Sequence, residues 1–207
     1  MGQITTGVRA ILSHPKVYDA FQRLMGTQRL RRELSDHFIR AQNGNSVLDI
    51  GCGTAEILDF LPSVEYFGFD VSQQYIEAAR FRFGMRGHFF CQALTSKVIA
   101  TLPKFDLVLA IGLLHHLNDA DAMSLLRMIK DALGPGGRLI LCDPVLDAGQ
   151  SSVARFLVSH DRGQNVRTAV GYRALAESVF TDAQGVVRHR HCIPGVPYTN
   201  WIMESRA

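Results

Sequence analysis

Apolar residues recur along this chain with two spacings that take turns. Short runs rich in β-branched, aromatic and leucine side chains occupy 46–50, 65–70, 88–91, 106–111 and 138–142. Between them, apolar positions return at helical intervals over 55–61, 73–83, a weaker 95–101 and 120–133. Strand run, helix and strand run in regular alternation is the pattern of parallel strands whose crossover helices pack on both faces of a sheet. Residues 1–43 read as two helices laid before that sheet, the second starting near Thr27. Past Asp143 the pattern changes to an insertion over 144–168, a helix over 169–179, and two β-like runs at 186–193 and 198–204. Gly195 and Pro197 lie between the last two runs and predict a closing antiparallel hairpin. No repeat or low-complexity tract interrupts the sequence. The expectation is an α/β, doubly wound fold in one domain, 1–207. Its parts are N-terminal helices (1–43), a core (44–143), an insertion (144–168), and a final helix and hairpin (169–207).

Composition narrows the function classes more than the fold. With 207 residues and 47% hydrophobic content the chain can bury the core of one domain. A net charge of +3, with basic clusters only at Arg29/Arg31/Arg32 and Arg188 to His191, argues against nucleic acid as the partner. Cys52, Cys91, Cys142 and Cys192 lie far apart with no Cys-x-x-Cys pair, which suggests neither a metal site nor a disulfide framework. No charged-then-apolar leader and no bilayer-length apolar run is present, so a soluble, cytoplasmic protein without a membrane partner is expected.

The chemistry is expected where the first strand run ends, in VLDIGCGTAE (47–56). In a doubly wound sheet, ligands bind outside the carboxyl ends of the strands, where the strand order reverses. Gly51 and Gly53 let a ligand approach the backbone, and the helix expected next would present its amino end. A dinucleotide loop would place a third glycine at position 56, where this chain has Glu56. An acid beside a pyrophosphate is repulsive, so the expected ligand lacks phosphates and suits a positive charge. The second run, YFGFDVS, ends in Asp70, placed to accept hydrogen bonds from both hydroxyls of a ribose.

VLDIGCGTA, YFGFDVS, FDLVLAIGLLHHL and LGPGGRLILCD resemble, in order and spacing, the successive motifs of the class I S-adenosylmethionine-dependent methyltransferases, and the resemblance covers 47–143. It implies a Rossmann-like, seven-stranded, mostly parallel sheet with an antiparallel C-terminal strand and N-terminal lid helices. It also implies S-adenosyl-L-methionine as cofactor and S-adenosyl-L-homocysteine as product. Carried over by position, Gly51, Cys52 and Gly53 would line the methionine part and Asp49 would support the loop electrostatically. Asp70 would hold the ribose, Val71 would pack on the adenine, Gln92 and Ala93 would read its edge, and Ile111 with Gly112 would close the pocket beside the sulfonium. Two positions depart from the pattern. Ala55 replaces the third glycine of the loop, and Gln92 replaces the acid that meets the adenine amino group, where its amide oxygen can still accept.

Methyl transfer from a sulfonium needs alignment and the exclusion of water, and a base only when the acceptor must lose a proton. His115 and His116 follow the fourth strand run and are candidates for that base, with packing or loop orientation as the alternative. Tyr18, on the first expected helix, is a candidate to touch the acceptor, although Tyr18, Phe21 and Met25 also stand at core spacing. In the insertion, Arg162 or Arg167 is a candidate to fix an acceptor carboxylate or phosphate, against an ion pair with Asp161 that merely holds the loop. The expected acceptor is a small, partly apolar molecule enclosed between the N-terminal helices and 144–168. An RNA methyltransferase and a nonenzymatic cofactor-binding subunit remain the alternatives.

Overall fold

The computed structural model describes residues 27–160, 163–193 and 196–207. A helix α1 (Thr27–Glu33) continues as a π-helical segment, Leu34–Ile39, that Arg40 ends in the left-handed conformation. The sheet and its connections follow as β1 (Ser46–Ile50), β2 (Glu65–Asp70), α2 (Gln73–Phe83), β3 (His88–Cys91), α3 (Ser96–Ile99), β4 (Phe105–Ile111), α4 (Asp119–Ala132) and β5 (Leu133–Leu146). The chain then forms α5 (Ser152–Ser159), a two-residue β6 (Arg167–Thr168), α6 (Ala169–Glu177), β7 (Gln184–Ile193) and β8 (Val196–Arg206). Polar residues just ahead of the helices explain where they start. The side chains of Ser72, Thr95, Asn118, Ser151 and Thr168 each accept the backbone N–H of the third residue onward, satisfying an orphan donor of the first turn.

Seven strands lie in the order β3-β2-β1-β4-β5-β8-β7, and β6 adds a short parallel pairing to the end of β5. β1 to β5 are mutually parallel; β8 runs antiparallel between β5 and β7. The expected doubly wound, mostly parallel sheet and closing hairpin are thus present, with β6 as an unexpected addition. Alternate residues of the strands feed two cores. Leu48, Phe69, Val108, Leu141 and Met203 face α4 and α6, whereas Val47, Tyr66, Leu109, Ile140 and Ile202 face α1, α2 and the π-helical turn.

Two expected elements differ. The helix over 55–61 is a five-residue 3₁₀ turn, Glu56–Phe60, entered through Ala55 at φ 56°, so no α-helical amino end faces the loop. β5 starts earlier than the expected 138–142, because a bulge opposite Phe105 and Leu107 absorbs the Gly-Pro-Gly-Gly stretch. A Cβ at Gly137 would stand 2.7 Å from the carbonyl oxygen of Phe105, so the bulge needs glycine there. Among the described residues no helix is long and apolar enough to cross a membrane.

Candidate active site

β1 is flanked by β2 on one side and β4 on the other, so the strand order reverses at its carboxyl end. The glycine loop that leaves it is tied down by its own amides. Gly51 and Cys52 both donate to the Phe69 carbonyl (2.8 and 3.0 Å), Gly53 donates to Asp70 Oδ2 (3.0 Å), and Ala55 donates to the Cys52 carbonyl (2.9 Å). A loop whose amides are spent in this way offers no nest for a pyrophosphate; what it offers is close approach. Gly51 (φ 73°) lies under Leu113, which would crowd a Cβ at 3.2 Å, while the space beside Gly53 (φ 56°) is open. Asp70 closes the same turn, its Oδ1 accepting from the Ser72 amide at 2.8 Å. Each carboxylate oxygen keeps a further lone pair with which to accept from a ligand hydroxyl.

The structure gives Glu56 a different place from the one used to argue against phosphate. Its buried carboxylate is paired with Arg31 of α1 and with Arg82 of α2 (3.5 Å), and Arg82 also pairs with Asp59. Its charge is neutralised inside the protein, so the exclusion of a pyrophosphate rests on the spent amides instead. Asp49 also differs in its partner. It is 3% exposed and accepts the Tyr66 hydroxyl at 2.6 Å, while the carboxylate hydrogen-bonded to the loop is that of Asp70. Burial pushes the Asp49 carboxyl up to about 7, with the Tyr66 hydrogen bond opposing, the charge of Asp70 adding and Arg31 opposing. Burial likewise raises the Cys52 thiol and the Tyr66 phenol, which keeps both protonated.

Next to the loop, β4 ends at Ile111, and Gly112 (φ 69°) turns the chain while its amide donates to the Cys142 carbonyl at 2.7 Å. The 3₁₀ turn Leu114–His116 follows. His115 is 4% exposed, and its Nδ1 lies 2.7 Å from Oδ1 of Asp143, a fully buried acid at the end of the parallel part of β5. The same oxygen accepts the His115 backbone N–H at 3.1 Å. A carboxylate only accepts, so the pairing places the imidazole proton on Nδ1 and the lone pair on Nε2. The Cε1 edge of the ring faces Gly112, and a Cβ on Gly163 would collide with Cδ2 and Cγ, so Gly163 lies flat on the other edge. His116 packs tilted on His115, the ring centroids 4.0 Å apart.

The structure therefore brings Gly51, Cys52, Gly53, Asp70, Ile111, Gly112 and His115 to one edge. Val71, 59% exposed, and the exposed Gln92 and Ala93 follow the neighbouring strands β2 and β3. Tyr18, Phe21, Met25, Asp161 and Arg162 lie outside the described residues. Arg167, a candidate anion binder, turns inward and binds main-chain carbonyls and Asp119. Sequence reasoning missed Asp143. Its signal was an acid closing the apolar run LILCD, a position that β5 buries. Among the described residues no group of histidine, cysteine and acid side chains is arranged to hold a metal ion.

A family model described as a methyltransferase domain matches residues 48–139. The O-methyltransferase cnsE of Penicillium expansum is 31% identical over 71% of this chain, and the match spans 58% of that relative's length. The mitomycin 7-O-methyltransferase MmcR aligns in structure with a TM-score of 0.62 at 24% identity, covering 95% of this chain and 60% of that one. The phosphoethanolamine N-methyltransferase 2 of Haemonchus contortus, solved in complex with S-adenosyl-L-methionine, aligns with a TM-score of 0.69 at 14% identity, covering 97% and 60%. The two structures share the fold with this chain, and the three relatives are longer than it by a substantial part.

Proposed function

We propose that this chain is a class I methyltransferase, a reading supported by its motifs, its fold and the matching methyltransferase-domain model, and that it transfers a methyl group from S-adenosylmethionine to a hydroxyl of a small molecule. The observation that carries the hydroxyl is the buried His115–Asp143 pair beside the glycine loop. An alcohol or phenol must lose its proton as it attacks, and an imidazole held in one tautomer by a carboxylate is suited to take it. Of the three proteins named above, two are O-methyltransferases by name, which supports this acceptor class, and the third is an N-methyltransferase.

The residues present fit the cofactor. Its adenosine and amino acid parts carry no phosphate, which matches a loop with spent amides, and the open side of Gly53 permits backbone approach. Asp70 would accept from the ribose hydroxyls, Val71, Gln92 and Ala93 would line the adenine side, and Ile111 and Gly112 would lie toward the methyl group. When bound, S-adenosylmethionine supplies a methyl group already activated by its sulfonium. The chain then has to place the acceptor oxygen in line, exclude water and accept one proton at Nε2 of His115. Asp143 holds that ring and stabilises the imidazolium as it forms.

Two measurements test the reading. Calorimetry should give binding of S-adenosylmethionine and S-adenosylhomocysteine and none of NAD; preference for NAD would overturn it. A labelled-methyl screen against pools of small hydroxylated metabolites and of RNA, read by mass spectrometry, should put the label on a small molecule. Label in RNA alone would return the RNA alternative.

A further inference from the structure

Arg167 spends its whole guanidinium inside the protein. Nε and Nη2 donate to Asp119 Oδ1 (2.9 and 2.7 Å), Nη2 also donates to the Leu117 carbonyl (2.7 Å), and Nη1 donates to the carbonyls of Leu114 and Asn165 (both 3.0 Å). The Leu114 and Leu117 carbonyls bracket His115 and His116, so one side chain grips the histidine turn at both ends. The residues leading to Arg167 grip its middle. The Asn165 amide donates to the His115 carbonyl at 2.9 Å, and Gly163 lies flat against the His115 ring.

We propose that Arg167 is a positioning residue for methyl transfer: by fixing both ends of the histidine turn it sets the His115 imidazole against Asp143. This rests on the reading of His115 as the base. The ion pair with Asp119 does not account for the arrangement, because that carboxylate side chain is 77% exposed and a pair of this kind contributes little. The carbonyl bonds are shielded, and they use the fixed angles of a planar fork that an ammonium group lacks. Arg167 is itself held in place. It pairs with Val145 across the short β6 ladder, precedes the Thr168 cap of α6, and lies 5.6 Å over the ring of Tyr172, which stacks on Trp201. The base is thus set by the segment between α5 and α6, outside strands β1 to β4.

Nuclear magnetic resonance of the ligand-free, ¹⁵N-histidine-labelled protein tests this without knowledge of the acceptor. The proton that His115 Nδ1 shares with Asp143 should give a far-downfield resonance, assigned by its disappearance in His115→Gln. In Arg167→Lys and Arg167→Ala the resonance should be lost to solvent exchange while circular dichroism stays that of a folded protein. In Asp119→Ala, which leaves the carbonyl bonds in place, it should persist. If Arg167→Ala does not fold, Arg167→Lys carries the test. A wild-type resonance retained in folded Arg167→Lys overturns the assignment of Arg167 alone. A wild-type protein without the resonance overturns the His115–Asp143 reading itself. A purely structural arginine would lower the melting temperature and leave the resonance unchanged.

Discussion

The glycine loop at 51–53 and the histidine turn Leu114–His116 leave adjacent parallel strands at one edge of the sheet, but different parts of the chain shape them. The loop is held by its own strand pair: Gly51 and Cys52 reach Phe69, and Gly53 reaches Asp70. The turn is held from farther away, by Asp143 at the end of β5 and by Gly163, Asn165 and Arg167 of the segment after α5. A site built in this way separates two tasks. In the proposed function, the half that would bind the cofactor needs only the local strand–loop–strand unit, whereas the half that would take the acceptor's proton also depends on residues 163–167, outside the 47–143 stretch that carries the sequence motifs.

Substitutions can break or sharpen this contrast. The largest effect is expected on the turn. His115→Gln keeps a donor toward Asp143 but removes the base, and should lower the rate on a hydroxyl acceptor by about 10²–10⁴-fold at an unchanged dissociation constant for S-adenosylmethionine. Radiolabelled transfer and calorimetry measure the two quantities, and a parallel loss of cofactor affinity would mean that the halves are not separable.

Next in size is a pH effect on the loop side. The Asp49 carboxyl is raised from 3.8 to about 7 on folding. Between those values the folded state holds a proton that the unfolded chain releases. Stability from this group is therefore full below about 4, falls as pH rises through the window, and levels off above about 7. The change is on the order of 4 kcal/mol at the usual conversion. Asp106 and Asp182 are lowered, the first chiefly by the Ser46 amide and the second chiefly by the Arg206 amide, so their contributions are lost on acidification below the usual carboxylate range. Of these three carboxyls only Asp49 is shifted into the pH 5–7 window, where comparison with a variant lacking it isolates its contribution. Urea denaturation of Asp49→Asn across that window should give a flatter profile than wild type, and an identical slope would reassign the effect.

Asp70→Ala should weaken S-adenosylmethionine binding by roughly 1.5–3 kcal/mol, through the lost ribose contact and the freed Gly53 amide. A calorimetric dissociation constant equal to that of wild type, with the fold intact, would place Asp70 outside the site. The smallest effect is expected at Gly163→Ala, where a methyl group must push into the imidazole of His115. Thermal denaturation should show a loss of about 1–3 kcal/mol, the usual cost of overpacking. The rate should fall while cofactor affinity holds. A rate equal to that of wild type would show that the turn tolerates displacement.

The two regions also differ in how far the sequence discloses them. The glycine loop and Asp70 are legible because their partners are close in the chain: a β run, a Gly-x-Gly turn and the next β run form one unit, and period and turn chemistry suffice to place it. The strands, α2 and α4 are legible for the same reason. Glu56 was misread because its place in the loop suggests a ligand neighbour, while Arg31 and Arg82 that neutralise it come from two other elements. For Arg167 the sequence offers an acceptor anion or an ion pair with Asp161, because nothing in its neighbourhood announces the carbonyls of Leu114 and Leu117, some fifty positions earlier.

What this sequence determined by itself is the succession of strands and helices, the loop at the carboxyl end of β1, and the resemblance to a methyltransferase family that both carry. Each follows from contacts or periods that span a few residues. Tertiary structure alone decided which charges are neutralised, that Asp49 turns to Tyr66 while Asp70 holds the loop, and that His115 meets Asp143. Those outcomes depend on parallel strands and their crossovers bringing distant segments to one edge, where burial changes what a carboxylate or an imidazole can do.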